Sequence, residues 1–492
     1  MSVKIANFPT FIIKNYTVDS IVKNAYSPEE FRKMGYELVG LLADYLEKSM
    51  EGKNEKVMNW KEPAEQLDFW NDYLEKGKST TEFFKDIIEN SIHLHHPKYM
   101  GHQVSVPLPI TSLAAMVSAL LNNGMAVYEM GPAASALEKW IAARFAQFLG
   151  YNKNADGIIT SGGSLATLTA LLAARKVKGT DDVWENGHSE KLAIMVSEQA
   201  HYSVDRAAKI MGLGEKGVIK IPVSGQYKMR VDLLEEYLEI AKSEGLKVIA
   251  VIGSACSTST GTYDDLIGIG NFCKKHKLWF HVDAAHGGGA IVSGKYKPLL
   301  QGVEQADSVI IDFHKMLLNP ALSTLLMFKN GQNSYLTFNQ KAQYLWKKNE
   351  DEEWYNFAKR TFECTKLMMS LKFYSVVQAY GFEIFDKQVT YLYGLGRKFA
   401  ELIKKRKVFE LAVEPESNIV CFRYVGNFKT EKLNELNAQV RQKILEKGEF
   451  YIVQTELGNK IFLRTTLMNP LTETRHLEEL LDEVERLAGA MN

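Results

Sequence analysis

Four stretches of this 492-residue sequence carry side chains whose types and spacing could act on a single ligand. In 160-TSGGSLATLTALLAAR-175 an apolar run ends in a Gly/Ser turn and continues as a helix. Backbone N–H groups in such a turn converge on an anion, the helix start adds positive potential, and Gly163 and Ser164 stand where a phosphate would sit. The pattern is neither GxGxxG nor GxxxxGK[ST], so a dinucleotide fold and a nucleoside-triphosphate loop lose support. Gly162 and Gly163 could equally serve a tight turn alone. In 279-WFHVDAAHGG-288, Asp283 ends a buried run at the carboxyl edge, where open parallel sheets bind ligands. A protonated pyridine nitrogen would satisfy that carboxylate, which would in turn keep the ring electron-withdrawing. The plainer alternative is an aspartate capping the next turn.

In 311-IDFHKMLLNP-320, Lys315 stands beside His314 among apolar residues, where partial desolvation would favour a neutral amine able to form a Schiff base. A solvated lysine after a strand is the alternative. His201, in 197-SEQAHYSVDRAAKIMG-212, falls between a strand and a helix, placed either to stack on an aromatic ligand or simply to start the helix. An anion-binding turn, an aspartate, a lysine and a histidine are four different contacts for one phosphorylated pyridine aldehyde. The combination is more specific than any member.

These residues need a scaffold of strands with helices between them. Apolar runs at 157–160, 191–197, 247–253, 278–283 and 308–313 read as buried strands. Helical patterns lie between or after them at 164–177, 203–212, 232–245, 264–277, 357–379 and 385–405. Short apolar runs without polar alternation, separated by helices, predict an α/β fold with a mostly parallel central sheet covered on both faces. Upstream, 26–50 spaces Phe31, Met34, Leu38, Leu41, Leu42 and Leu46 as a helix, and 67–92 reads as helical around a polar interruption. Downstream, strands at 419–425 and 461–467 and a helix over 472–489, with Thr472 as its cap, predict a smaller α+β domain. The expected division is an N-terminal helical dimerisation arm over 1–92, a large cofactor-binding α/β domain over 93–375 and a small C-terminal domain over 376–492.

Composition excludes several classes. Apolar residues make up 46% and charged residues 24%, which are ordinary globular values. Lys plus Arg and Asp plus Glu are both 59, so no global positive field attracts nucleic acid or an anionic membrane. The four scattered cysteines form neither a disulfide framework nor a zinc knuckle, no metal site is read, and they fit a reducing compartment. The N-terminal residues lack a secretory pattern and no apolar run approaches the ~20 residues of a membrane span, so the expectation is a cytoplasmic protein.

The motifs HVDAA, DFHK, SEQAHYSVDRA, CSTSTG, HHPKYMGHQ at 95–103 and LRTTLMNPLTETRHLEELL resemble those of the pyridoxal-phosphate-dependent group II amino-acid decarboxylases, which act on glutamate, aromatic amino acids, histidine or 2,4-diaminobutyrate. The resemblance covers most of the chain. It implies the pyridoxal-phosphate enzyme fold type I, with pyridoxal 5'-phosphate as cofactor and a homodimer with active sites at the interface. It makes Lys315 the lysine that carries the cofactor, Asp283 the partner of the pyridine nitrogen and His201 the residue stacked on the ring. It further places Gly163 and Ser164 at the phosphate, Thr258 and Ala285 against the cofactor, Asp312 near its phosphate, and His314 on the substrate side. A loop tyrosine is expected between 331 and 357, where Tyr335, Tyr344 and Tyr355 lie and Tyr344 fits best by position. Tyr99 and His102 fall near the substrate pocket. Asp312 replaces an asparagine common in the aromatic branch, and His286 stands where an aromatic residue is usual. The implied reaction is decarboxylation of an L-amino acid to an amine. Transamination, carbon–carbon lysis and aldehyde formation on the same cofactor are the enzymatic alternatives, and a catalytically silent homodimer is the other.

Overall fold

The computed structural model describes residues 18–53, 56–180, 182–338 and 353–491. The chain forms two compact units, Met1–Tyr99 with Arg441–Tyr451, and Met100–Val440 with Ile452–Asn492. The first unit contains α1 (Val18–Ala25), α2 (Pro28–Met50), α3 (Pro63–Asn71) and α4 (Thr80–Glu89). Ser27 caps α2 by accepting from the Glu30 backbone N–H, and Pro28 follows at a position whose N–H no helix would use. Ser79 and Glu82 form a reciprocal capping box on α4. Tyr99, expected near the substrate, is buried in this unit with its ring stacked on Tyr451 at 5.5 Å.

The second unit is built on seven strands: β1 (Asp156–Thr160), β2 (Leu192–Ser197), β3 (Val218–Ile221), β4 (Lys247–Ser254), β5 (Trp279–Asp283), β6 (Ser308–Asp312) and β7 (Thr324–Phe328). Their order across the sheet is β1-β7-β6-β5-β4-β2-β3. All pairings are parallel except those of β7, which runs antiparallel to both β6 and β1. The helices of this unit are α5 (Pro109–Leu121), α6 (Pro132–Phe148), α7 (Gly163–Lys178), α8 (Val183–Asn186), α9 (Tyr202–Ile210), α10 (Leu234–Ser243), α11 (Leu266–His276), α12 (Met369–Tyr380), α13 (Glu383–Lys405), α14 (Leu433–Lys447), whose last residues belong to the first unit, and α15 (Thr474–Gly489).

Both faces of the sheet are buried because successive side chains point to opposite sides and each side meets helices. Val309 and Ile311 of β6 and Leu325 and Met327 of β7 share one core cluster with Ile141 and Phe145 of α6, and the same cluster extends to Leu234 and Leu238 of α10, which lies against β3 and β4. Ile310, Leu326 and Phe328 point the other way, into a cluster with Ala166, Ala170 and Ala174 of α7 and Val204 and Ala208 of α9. The alanines on α7 bring that helix close to the strands. A second, antiparallel sheet follows in the order β10-β11-β9-β8, from β8 (Phe409–Leu411), β9 (Ile419–Tyr424), β10 (Val453–Leu457) and β11 (Lys460–Thr466).

Two local expectations are corrected. The segment read as one helix over 357–379 is a short 3-10 turn, Phe357–Lys359, followed by α12 from Met369. Helix α15 is capped by Glu473, not Thr472: the Glu473 backbone N–H donates to His476 Nδ1 at 3.0 Å, which closes a capping box one residue later.

Candidate active site

The ends of five strands, β1, β2, β4, β5 and β6, and the starts of α7 and α9 meet at the carboxyl edge of the large sheet, around a cavity of about 430 Å³. Gly163, Ser164, His201, Thr258, Asp283, Ala285, Asp312, His314 and Lys315 all line it. Each is put there by the element before it. Gly162 ends the turn after β1 at φ +135°, a backbone conformation that favours glycine, and it aims the first N–H groups of α7 into the cavity. At Gly163 a Cβ would lie 3.3 Å from Asp312 Oδ1, so a side chain there would press on that carboxylate. Ser161, in the same turn, donates to Glu363 Oε1 at 2.5 Å.

His201 caps α9. Its Nδ1 accepts from the Ser203 backbone N–H at 3.3 Å and lies 2.8 Å from Ser203 Oγ, which leaves Nε2 to carry the ring proton. Burial holds the imidazole below its ordinary pKa, against the pull of Asp283. Helix capping and cavity lining are therefore the same side chain's two contacts. Asp283 makes the turn-capping contact of the plainer reading, its Oδ1 accepting the Ala285 backbone N–H at 3.2 Å, and it also lines the cavity. Burial raises its pKa more than the nearby Lys315 and His201 lower it.

Lys315 Nζ lies 2.9 Å from Asp312 Oδ2. Burial alone would favour the neutral amine, but the carboxylates of Asp312 and Asp283 outweigh it and raise the ammonium above its ordinary pKa. Desolvation, which favours the neutral amine expected from the sequence, is therefore opposed here by two carboxylates. Burial pushes Asp312 upward as well, yet Lys315, His314 and the Thr324 hydroxyl leave it below the usual carboxylate range. His314 Nδ1 is 2.9 Å from the Ser323 carbonyl, with Nε2 3.5 Å from Asp312 Oδ2.

The cavity also takes in Cys256, Ser203 and His286, which the sequence reading did not assign to it. His286 Nε2 is 2.8 Å from Asn418 Oδ1, and burial pushes the imidazole down to about 3. One further residue was passed over. Arg464 of β11 is 9% exposed and donates from Nη1 to the carbonyl of cavity-lining Thr258 at 2.7 Å, while its Nε–H has no acceptor. Among the described residues no carboxylate pairs with it. An arginine directly after the apolar run IFL of β11 was the available signal. His102 is exposed and does not line the cavity. Tyr344 lies outside the described residues; Tyr355 packs edge-on against Tyr128, and Tyr335 lies under the Arg360 guanidinium.

A mostly parallel seven-stranded sheet, with an aspartate, a lysine and a helix start at its carboxyl edge and a small antiparallel sheet behind, defines a pyridoxal-phosphate enzyme of fold type I. The pyridoxal-dependent decarboxylase conserved domain matches residues 71–425, and the chain belongs to that family. It is therefore a pyridoxal-phosphate-dependent carboxy-lyase, which removes the carboxyl group of an amino acid as carbon dioxide and leaves an amine. Acidic amino acid decarboxylase GADL1 of Homo sapiens is 30% identical over 457 residues, 89% of this chain and 87% of that protein. L-aspartate decarboxylase dtxS4 of Metarhizium robertsii is 31% identical over 366 residues, 74% of this chain and 73% of its own. The crystal structure of mouse CSAD superposes with a TM-score of 0.86 at 26% identity, covering 94% of this chain and 99% of that one.

Proposed function

We propose that Lys315 is the covalent anchor of pyridoxal phosphate in this cavity and that the substrate is an acidic L-amino acid. The observation that carries the reading is the convergence of Lys315, Asp283 and the Gly163–Ser164 turn on one cavity that could take a molecule of that size. The bound cofactor supplies an electron-withdrawing pyridine ring that accepts the electron pair of the breaking bond. Gly163, Ser164 and the start of α7 hold the phosphate through N–H and O–H donors. Asp283 holds a proton on the pyridine nitrogen, and that cation offsets the cost of the buried carboxylate. His201 and Ala285 flank the ring, one on a fixed tautomer and the other without bulk. Thr258 closes the cavity beside them, and Asp312 lies by the phosphate turn. His314 lies on the substrate side, and Tyr344 is the loop residue that we assign to return a proton to Cα. Tyr99, stacked on Tyr451, and His102, which does not line the cavity, are left out of this reading.

The acidic substrate rests on two supports. The relatives at 30% and 31% identity are named for acidic amino acids and for L-aspartate. The second support is Arg464, which does not itself line the cavity but holds the carbonyl of Thr258, which does; its Nε–H is without an acceptor, so this guanidinium is the cation we assign to an acidic substrate. Replacing Arg464 by Gln should raise KM for an acidic substrate about 10- to 100-fold, the worth of a hydrogen bond to a charged group. Steady-state kinetics on the cofactor-loaded variant would show it, and an unchanged KM would remove Arg464 from substrate binding. We further assign a homodimer in the cytoplasm. Leu113, Met116, Val117, Leu120 and Leu121 form an exposed apolar stripe on α5 that supports the dimer. The four free cysteines suit a reducing compartment, and no helix of the described residues is long and apolar enough to cross a membrane.

A further inference from the structure

Asp312 ends β6 with a side chain that is 3% exposed, and three donors or cations converge on its carboxylate. Thr324 Oγ1 donates to Oδ1, Lys315 Nζ lies 2.9 Å from Oδ2, and His314 Nε2 lies 3.5 Å from that same oxygen. The carboxylate also rests against the start of α7, where a Cβ on Gly163 would come within 3.3 Å of Oδ1. A buried anion therefore already sits beside the anion-seeking end of α7, and the one ammonium among the cavity's lining residues is bound to it.

We propose that Asp312 is a positioning residue for Lys315: it holds the lysine against the end of β6 in the cofactor-free protein, and loading proceeds by exchange, with Nζ leaving the carboxylate for the aldehyde. The proposal rests on the reading that Lys315 carries the cofactor. Asp312 is the geometric partner because, among the described residues, it alone places a carboxylate oxygen within ion-pair distance of Nζ. The other groups around Nζ are Asp283 from β5, Cys256 after β4, kept a neutral thiol by burial, His201 at the start of α9, His286, and His314 on its own segment. Loading requires Nζ to give one proton to solvent. The neutral nitrogen then bonds to the aldehyde carbon, the carbonyl oxygen leaves as water with the two remaining nitrogen protons, and a C=N bond remains. Asp312 opposes the first of these events, because the ammonium that must deprotonate is the one it pairs with. Once Nζ has left, Thr324 and His314 remain to the carboxylate.

The test uses cofactor-free protein, wild type and Asp312→Asn, mixed with pyridoxal phosphate or with pyridoxal, which lacks the phosphate. The rate of Schiff-base absorbance is followed from pH 6 to 10, and the adduct is reduced with borohydride and mapped by mass. The expected result is faster loading of D312N with both aldehydes at pH 7, by roughly tenfold for each unit the ammonium's pKa falls, with the pH midpoint moved down by the same amount and the adduct on Lys315. Equal rates and midpoints would overturn the proposal. Acceleration with the phosphate ester alone would also overturn it, because Asp312 would then act by repelling phosphate. An adduct on another lysine would instead overturn the assignment of Lys315 itself, which keeps the two failures distinct. Should D312N not fold, reductive 13C-methylation of the wild-type cofactor-free protein gives a second reading. The Lys315 resonance is expected to titrate above the ordinary lysine value of about 10.4, and titration at or below it contradicts the ion pair.

Discussion

His281 and His286 are both fully enclosed, one within β5 and one just after it, and burial pushes each imidazole down to about 3. An unfolded histidine titrates near 6.5. As the pH falls below that value the unfolded chain takes up protons that the folded one refuses, so this stability is complete above about 6.5 and drains away toward 3. Each buried histidine accounts for roughly 1.4 kcal/mol per pH unit across that window. His281→Asn should reduce the pH slope of unfolding free energy between pH 6 and 4.5 by about that amount, measured by urea titration. A slope unchanged by the substitution would mean that His281 is not held neutral. At this scale the sequence was most legible where a polar residue interrupts an apolar run at its carboxyl end, as Asp283 and Lys315 do. Their ionisation was less legible, because it depends on Asp312 Oδ2 standing 2.9 Å from Nζ, a distance set by the turn after β6. Arg464 escaped because its meaning comes from Thr258, more than two hundred residues away.

Among the elements, the segment that carries Lys315 is pinned from behind by aromatic rings. Phe313, between Asp312 and His314, turns away from the cavity and stacks on Phe373 of α12 at 4.2 Å, with Phe145 of α6 5.3 Å away. Phe373 also stacks on Phe385 of α13 at 5.3 Å. Removing that ring opens a cavity shared by three helices, so Phe373→Ala should cost about 3 to 5 kcal/mol in denaturant unfolding. It should also weaken cofactor retention on dialysis, because Phe313 loses the surface that fixes the lysine's backbone. A loss below about 1 kcal/mol would show that the site does not lean on this cluster. The strands read as continuous apolar runs were legible because both their faces are buried. Strand β7 was not anticipated: TLLMF follows the lysine turn so closely that its antiparallel return depends on pairing with β1 and β6. Helices α5 and α6 were missed as well, since α5 is apolar on nearly every side and α6 is rich in alanine, which blurs the amphipathic period.

At the scale of the molecule, α5 leaves a large apolar face exposed among the described residues. On α5 the exposed residues recur at positions 113, 116, 117, 120 and 121, one helix face, with Leu120 69% exposed. We expect a second copy of the chain to cover it. Val117→Glu with Leu120→Glu should convert the dimer to monomer in sedimentation velocity at micromolar concentration, since like charges would face each other across a two-fold contact. A dimer that survives both charges would move the contact elsewhere, with the exposed Phe31, Met34 and Leu42 of α2 as the next surface. The equality of basic and acidic residues says nothing about the substrate, because the charge of a pocket and the charge of the whole molecule are separate quantities.

The central claim is carbon dioxide release from an acidic L-amino acid, and it is tested most directly by mass-resolved product analysis of the cofactor-loaded protein. The protein is incubated with L-aspartate, L-glutamate and L-cysteine sulfinate together with L-tryptophan and L-2,4-diaminobutyrate. The account predicts an amine lighter than its precursor by one carbon dioxide from an acidic member of the panel, and none from the same mixture with Lys315→Ala. A keto acid or aldehyde in place of the amine, or an amine formed only from the aromatic or cationic members, would contradict it.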